Sequence, residues 1–249
     1  MSRVAKAGFR SIDVRPSALT SPIARDKAGQ LGLRVSCMAA SFGLPDGASL
    51  ESPDERASAQ ALDYINQSLS KAAELGAKTA YIVPGKEGVG ACLDRLARNL
   101  CDAADGASNS GIKLCVEHFP GSALPTVSET MAFLQGIGHP NLYLLFDTGH
   151  AQISGEEMVA TIKAAGPHLG YVHLNDNAGL GDLHLPLLDG IMDRRVLVRM
   201  LKALVDVEYS GPLSFELNQN LPDPDESLQR SKEIVLNCGV GESNRREFI

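Results

Sequence analysis

The stretch Leu142-Tyr143-Leu144-Leu145-Phe146-Asp147-Thr148-Gly149-His150 decides how the rest of this chain is interpreted. Its apolar run has the length of a strand, and such a run is typical of a strand buried on both faces in a parallel sheet covered by helices. The run ends in a carboxylate, a glycine and an imidazole, which are costly to bury unless a metal or a reaction requires them. A helix cap at Asp147 or Thr148 is the alternative interpretation, and the stretch alone does not decide between the two.

Strand-like segments alternate with helix-like segments along the whole chain. Seven strands are predicted, centred near Ile12, Val35, Tyr81, Leu114, Leu144, Val172 and Ser214. Residues 54–75 show the clearest helical periodicity, and Thr126 with Glu129 and Ser154 with Glu157 have the spacing of a capping box at the start of a helix. This alternation, without a linker-like change in composition, predicts a parallel sheet with covering helices.

The chain length favours a single barrel domain. A chain of 249 residues matches one α/β barrel, which runs to roughly 250 residues, so we expect residues 1–249 to form one (β/α)8 TIM barrel. An eight-stranded barrel needs one more strand than the seven predicted, and the first is expected to be lacking or truncated. The alternative is an open doubly wound sheet, but no glycine-rich phosphate fingerprint follows an early strand.

Composition and charge restrict the class of partner. Hydrophobic residues make up 44% of the chain and charged residues 21%, which is ordinary for a globular protein. The formal net charge of -7 argues against binding to nucleic acid or to an anionic membrane surface. The start of the chain lacks the apolar core of a signal peptide, and no apolar run is long enough to span a bilayer. Five scattered cysteines indicate buried free thiols in a reducing compartment, so we expect a cytoplasmic protein.

Polar side chains end four successive predicted strands in the second half of the chain. They are Glu117 with His118, Asp147 with His150, His173 with Asp176, and Glu216. Active sites of barrel enzymes lie at the carboxyl ends of the strands, so these side chains are expected to converge. Glu117, Asp147, His173 and Glu216 supply three carboxylates and one imidazole, a set that suits Mn²⁺, Mg²⁺ or Co²⁺ with open positions for a substrate. Each residue alone could be a cap or a surface turn, but four at equivalent strand ends favour a metal site.

These strand ends resemble the motifs of the xylose-isomerase-like superfamily of TIM barrels, within the sugar phosphate isomerase/epimerase group, which is related to type-four apurinic endonucleases. The matching segments are Val116-Glu117-His118-Phe119-Pro120, Phe146-Asp147-Thr148-Gly149-His150, Val172-His173-Leu174-Asn175-Asp176, Asp182-Leu183-His184-Leu185-Pro186 and Ser214-Phe215-Glu216. The resemblance covers about residues 8–236 and is more specific for the superfamily than for a substrate.

The resemblance implies roles for individual residues. It implies that one divalent metal ion (Mn, Mg, Co or Zn) is bound by Glu117, Asp147, His173 and Glu216, which leaves a helix cap at Thr148 alone. Glu117 and Glu216 would also flank the substrate as an acid/base pair. The candidate substrate-binding residues are His118, His150, Asp182 and His184. Among these, His150 would contact a substrate oxygen, and the pair Asp182 and His184 would hold its loop over the substrate.

The expected activity is that of a metal-dependent isomerase or epimerase acting on a sugar, a sugar phosphate or a related polyol ketone. A metal chelated by a carbonyl and an adjacent hydroxyl acidifies the neighbouring C–H and stabilises the enediolate. One glutamate removes this proton. The second glutamate can return it from the opposite face in an epimerisation, or the same base can return it to the next carbon in an isomerisation.

Other functions on this scaffold stay open. Dehydratases of the superfamily, such as inosose or dehydroshikimate dehydratases, share the enolate chemistry and then expel water. Asp182 and His184 match a pair found in type-four apurinic endonucleases, but the early strand ends Val35-Ser36-Cys37-Met38 and Ile82-Val83-Pro84-Gly85 lack their histidines. A non-catalytic homologue is the third alternative, and exposed sheet edges of an incomplete barrel would favour a homo-oligomer.

Two observations bear on the substrate. Ketose 3-epimerases of this superfamily carry an arginine shortly after the strand-end histidine, and residues 175–179 contain none, which counts against that particular activity. Candidates for binding a substrate phosphate or carboxylate are Arg15, Lys86, Arg194 and Arg195, although a surface role is compatible with each.

Overall fold

The fold is a single seven-stranded parallel sheet in a computed structural model, which describes residues 1–85 and 93–238. The strands are β1 (Ser11–Val14), β2 (Arg34–Ala39), β3 (Thr79–Ile82), β4 (Lys113–Glu117), β5 (Leu142–Asp147), β6 (Leu169–Leu174) and β7 (Leu213–Phe215). All seven predicted strands are confirmed. They pair in the order of the sequence, which is the order of a barrel, whereas a doubly wound sheet reverses its order at a switch point.

Helices follow the strands along the chain. They are α1 (Ser2–Lys6), α2 (Pro22–Gln30), α3 (Glu55–Glu74), α4 (Leu93–Asn109), α5 (Val127–Ile137), α6 (Thr148–Ile153), α7 (Met158–Ala165), α8 (Arg194–Asp206) and α9 (Pro224–Leu236). The predicted helix over residues 54–75 is α3, whose buried side chains Ala61, Ile65 and Leu69 recur with helical spacing.

The two predicted capping boxes have different outcomes. At the first, Thr126 is confirmed as the N-cap of α5, because its Oγ1 accepts a hydrogen bond from Glu129 N (3.1 Å), while the Glu129 carboxylate accepts one from the Thr126 hydroxyl (2.7 Å). The second is wrong, because Ser154 follows the last residue of α6 and its Oγ donates to the Pro125 carbonyl. Gly155 then adopts a left-handed φ of 67°, and α7 begins only at Met158.

The sheet has two edges, β1 and β7, and side chains connect them. In the described residues no backbone ladder joins these strands, so the position of the missing first strand of an eight-stranded barrel is a gap. Asp13 of β1 accepts hydrogen bonds across this gap from the Ser214 hydroxyl (2.5 Å) and from the Tyr171 hydroxyl (2.7 Å). The Phe9 and Phe215 rings also meet edge to face, with centroids 6.0 Å apart. The barrel lacking one strand is therefore confirmed.

The described cysteines are all free thiols, as predicted. Cys37 and Cys115 are fully buried inside the barrel, whereas Cys101 and Cys238 are only partly buried, and Cys92 lies outside the described residues. Among the helices of the described ranges, none combines the length and the apolar character needed to cross a membrane.

Candidate metal centre and substrate cavity

The four predicted metal ligands come together at one mouth of the barrel. Glu117 and Asp147 are the last residues of β4 and β5, His173 precedes the last residue of β6, and Glu216 directly follows β7. One potential ligand atom from each lies within 4.8 Å of the other three. The convergence that the sequence predicts is therefore present in the structure.

The ligand atoms face a common point. His173 Nδ1 lies 2.8 Å from Glu216 Oε2, 3.4 Å from Glu117 Oε1 and 3.9 Å from Asp147 Oδ2. His173 Nδ1 and Glu117 Oε1 are buried, and neither makes a well-aligned hydrogen bond within the described residues, although Glu216 Oε2 lies close to His173 Nδ1. A buried polar atom without a partner is costly, and a cation would give these atoms one. Three carboxylates and one imidazole nitrogen also match the donors preferred by divalent cations, so the residues fit a metal ion.

Burial and charge set the protonation of this cluster. Burial raises the pKa of Glu117 above its ordinary value. Burial acts in the same direction on Glu216, but the positive charge of His173 outweighs it and lowers the pKa of Glu216 to about 2. Although burial opposes it, the charge of Glu216 raises the pKa of His173 well above the ordinary value. The proton on His173 thus balances the carboxylates, and a cation would compete with it for Nδ1.

The two carboxylate oxygens of Asp147 have different partners. Its Oδ1 accepts a hydrogen bond from His150 N (2.8 Å) and caps α6, while its Oδ2 accepts one from Asn175 Nδ2 (2.7 Å) and faces His173. The expectation of a cap at Thr148 is wrong, because Thr148 is the first residue of α6 and its hydroxyl bonds to the Asn175 backbone. The cap and the candidate metal ligand are therefore the same carboxylate.

A second polar cluster, formed by His150, Asp182 and His184, lies beside the first. His184 donates from Nδ1 to the Glu216 carbonyl (3.1 Å), and its Nε2 lies 2.9 Å from Asp182 Oδ2. Burial opposes protonation of His184, but Asp182 raises its pKa to about 9. His150 donates from Nδ1 to the His118 carbonyl, and its Nε2 lies 3.6 Å from Asp182. This network ties the loop that carries Asp182 to the end of β7.

His118 lies behind the site. It is fully buried, its Nε2 accepts a hydrogen bond from Asp147 N (3.1 Å), and it does not line the cavity described below. Burial and the neighbouring charge of His150 lower the pKa of His118 to about 3, so its ring is neutral. The structure thus brings His150, Asp182 and His184 to the cavity but leaves His118 outside it.

Sequence reasoning missed Asp13 and Asn175. Asp13 Oδ2 lies 3.7 Å from His173 Nε2, on the opposite side of the ring from the other ligands. Asn175, fully buried, holds Asp147 through its side-chain amide. The available sequence signal for Asp13 was an acidic residue between two apolar residues, Ile12 and Val14. No local pattern connects Asp13 with His173, which lies 160 positions later.

A cavity of about 500 Å³ opens at the same mouth. Its polar lining includes Glu117, Glu216, His150, Asp182 and His184, and Arg15 and Phe42 line it as well. Of the other proposed anion-binding residues, Arg194 and Arg195 do not line it, and Lys86 lies outside the described residues.

Comparison with known proteins identifies the family. The model of the xylose isomerase-like TIM barrel family matches residues 1–235. The chain belongs to this family. The resemblance predicted from the strand-end motifs is therefore confirmed.

Several relatives of this TIM barrel have assigned activities. An L-ribulose 3-epimerase of Mesorhizobium japonicum is 29% identical over 201 residues, which is 76% of this chain and 64% of the epimerase. An inosose dehydratase of Serratia proteamaculans is 33% identical over 85 residues, which is 33% of this chain and 28% of the dehydratase. Among solved structures, a D-allulose 3-epimerase from Methylomonas sp. matches with a TM-score of 0.82 and 22% identity, over 95% of this chain and 90% of the other.

Proposed function

We propose that this chain is a metal-dependent sugar epimerase that exchanges a proton next to a carbonyl group. The observation that carries the proposal is the placement of Glu117 and Glu216. They come from β4 and β7, which lie on either side of the strands that carry Asp147 and His173, and both line one cavity. The similarity to an L-ribulose 3-epimerase over 76% of the chain supports epimerase chemistry, whereas the lack of an arginine in residues 175–179 still counts against reaction at carbon 3 of a ketose.

The proposed metal ligands are Glu117, Asp147, His173 and Glu216. A bound divalent cation would act as a Lewis acid, stabilising the negative charge that forms when a proton leaves the carbon next to a carbonyl. The oxygen-rich donor set favours Mn²⁺, Mg²⁺ or Co²⁺ over a closed structural zinc site.

Glu117 and Glu216 are the proposed acid/base pair. One glutamate accepts the proton from carbon on one face of the sugar, and the other donates a proton from the other face. Two carboxylic groups in one cavity favour epimerisation, because an isomerisation needs only one base that returns the proton to the next carbon. His150 is proposed to contact a substrate oxygen, and Asp182 and His184 to hold their loop over the substrate.

The proposal also covers the domain organisation, the cellular location and the oligomeric state. We propose one domain over residues 1–249, since strands from Ser11 to Phe215 share a single sheet. The free thiols of the described cysteines agree with a cytoplasmic location. The two sheet edges at β1 and β7 would favour a homo-oligomer that covers them.

Solvent deuterium exchange tests the activity. The metal-loaded protein is incubated in D₂O with a panel of ketoses and ketose phosphates, and the products are examined by NMR. The proposal predicts deuterium at one carbon next to the carbonyl together with an epimeric product. Glu117→Gln and Glu216→Gln should each lower the rate by at least about 10²-fold, because each glutamate is proposed both to transfer a proton and to bind the metal. Glu233→Gln on the exposed face of α9 serves as the control.

Two outcomes would contradict the proposal. Exchange that persists at the full rate in both glutamine variants would remove the proposed acid/base pair. Loss of water with a new conjugated absorbance, and no epimer, would assign the chain to the dehydratases instead.

A further inference from the structure

Arg15 adds a cation to the lining of the substrate cavity. It directly follows β1, so it stands at the carboxyl ends of the strands, and it lines the same cavity as Glu117 and Glu216. Its side chain is exposed, and its guanidinium carbon lies 5.0 Å from the centre of the Phe42 ring. Within the described ranges it forms no ion pair with a carboxylate. The guanidinium is therefore held on an aromatic face with its edge available to a ligand.

The aromatic face under Arg15 is fixed in place. The Phe42 carbonyl accepts a hydrogen bond from the Tyr64 hydroxyl (2.8 Å), and the preceding Ser41 hydroxyl accepts one from Val83 N (3.0 Å). These bonds tie the loop after β2 to α3 and to the end of β3. Arg15 is thus supported by a segment that is anchored on both sides.

Aromatic rings connect this support to the candidate metal centre. The Phe42 and Tyr81 ring centroids are 6.0 Å apart, and those of Tyr81 and His173 are 5.3 Å apart, both with edge-to-face geometry. Of the four candidate metal ligands, Glu117 and Glu216 line the same cavity as Arg15. Such a lining suits a sugar whose two ends differ in charge.

The charges decide how such a sugar would lie. The carboxylates of Glu117 and Glu216, which line the cavity, repel an anionic group placed beside them. A guanidinium binds phosphate or carboxylate oxygens through two parallel hydrogen bonds, with a geometry that neutral hydroxyls do not match. The imidazoles of His150 and His184 also line the cavity, but both face Asp182, whereas Arg15 has no ion-pair partner in the described residues. An anionic group on the substrate would therefore lie at Arg15, away from the carbon where the proton is exchanged.

We propose that the substrate is an anionic sugar, a ketose with a phosphate or a carboxylate group at the end remote from the reacting carbon, and that Arg15 binds this group. This inference rests on the proposed epimerase function and specifies its substrate class. Position distinguishes Arg15 from the other arginines considered, because Arg194 and Arg195 begin α8 outside the cavity and Arg34 begins β2 at the opposite end of the barrel.

Paired substrates test the inference. Deuterium exchange is measured for a ketohexose, for the same ketohexose with a terminal phosphate, and for the corresponding sugar acid, using metal-loaded wild-type protein, Arg15→Gln and Arg15→Lys. We expect the wild-type protein to prefer one of the anionic sugars, and the preferred one identifies the group as phosphate or carboxylate. Arg15→Gln should lower kcat/KM for that sugar by about 10- to 100-fold, mainly through KM. Arg15→Lys should retain part of the preference.

A matched variant and a binding measurement keep the test decisive. Arg34→Gln removes an exposed arginine from the other end of the barrel and should leave the preference at its wild-type value. Equal kcat/KM ratios in the wild-type protein and Arg15→Gln would overturn the inference while leaving the epimerase function intact. If no sugar exchanges deuterium, the epimerase function fails, and calorimetric titration with the same three sugars still measures the charge preference. Equal affinities of the wild-type protein for neutral and anionic sugars would then overturn the inference on its own.

Discussion

The central strands β4, β5 and β6 and the edge strands β1 and β7 contribute to the candidate site in different ways. The central strands supply Glu117, Asp147 and His173, whose side chains are at most 4% exposed. The edge strand β7 precedes Glu216, whose side chain is 39% exposed. The three central ligands, which we call the central half of the site, therefore lie within the paired sheet. The position of Glu216, at the edge half, depends on contacts across the gap between β1 and β7.

The difference shows where the site is fixed and where it can change. The three central strands are paired on both sides, and His118 and Asn175 add hydrogen bonds to Asp147. Glu216 N donates a hydrogen bond to the Leu174 carbonyl (3.2 Å), and the Glu216 carbonyl accepts one from His184 Nδ1 (3.1 Å). Within the described residues, β7 is linked to β1 through side chains alone. We expect substitutions in the central half to abolish metal binding and substitutions at the edge to weaken it.

The largest effect is expected at Asp147, where capping and metal binding can be separated. Asp147→Asn keeps a good N-cap residue but removes a charged ligand, so metal affinity should fall by more than about 100-fold while α6 is retained. Asp147→Ala should lose the same affinity and also about 1 kcal/mol of the free energy of unfolding of the metal-free protein. Calorimetric titration with Mn²⁺ and thermal unfolding separate the two effects. Wild-type affinity in both variants would show that Asp147 is only a cap.

A smaller effect is expected at Asp13 on the edge. Its carboxylate lies on the far side of the His173 ring from the other ligands, where a negative charge orients a ligating histidine. Asp13→Asn should lower Mn²⁺ affinity by about 10- to 100-fold. Ser214→Ala keeps the Asp13 carboxylate but removes its hydrogen bond across the gap, and it should cost less. If Ser214→Ala weakened binding more than Asp13→Asn, closure of the gap would matter more than the charge on Asp13.

The smallest effects concern stability in the central half. A Cβ at Gly149 would lie 1.9 Å from Asn175 Oδ1 and 2.3 Å from Asn177 Nδ2, both in buried side chains. Gly149→Ala should therefore destabilise the fold by about 1–3 kcal/mol. Gly136→Ala, in open space within α5, should instead stabilise it by about 0.5–1 kcal/mol. Denaturant unfolding compares the two, and equal changes in the free energy of unfolding would show that Asn175 and Asn177 are free to move.

The sequence predicts the central half better than the edge half. The strands that end at Glu117 and Asp147 were identifiable because an apolar run followed by a polar residue is a local pattern. The contact between Asp13 and His173 joins distant parts of the chain, and only the closed sheet brings them together. The sequence pattern does not reveal the cap at Asp147, because a cap and a metal ligand look like alternatives until the two carboxylate oxygens are seen to face different partners. The sequence also does not distinguish Arg15 from Arg194 and Arg195, because only the folded chain shows that Arg15 lines the cavity and the other two do not.

Titration of the metal-free protein with Mn²⁺ measures whether the four strand-end residues form a metal site. We expect one ion per chain in the wild-type protein, loss of that ion in Glu117→Gln and Asp147→Asn, and weakened binding in Glu216→Gln. A protein that binds no divalent cation, or one whose affinity is the same in all three variants, would contradict this expectation.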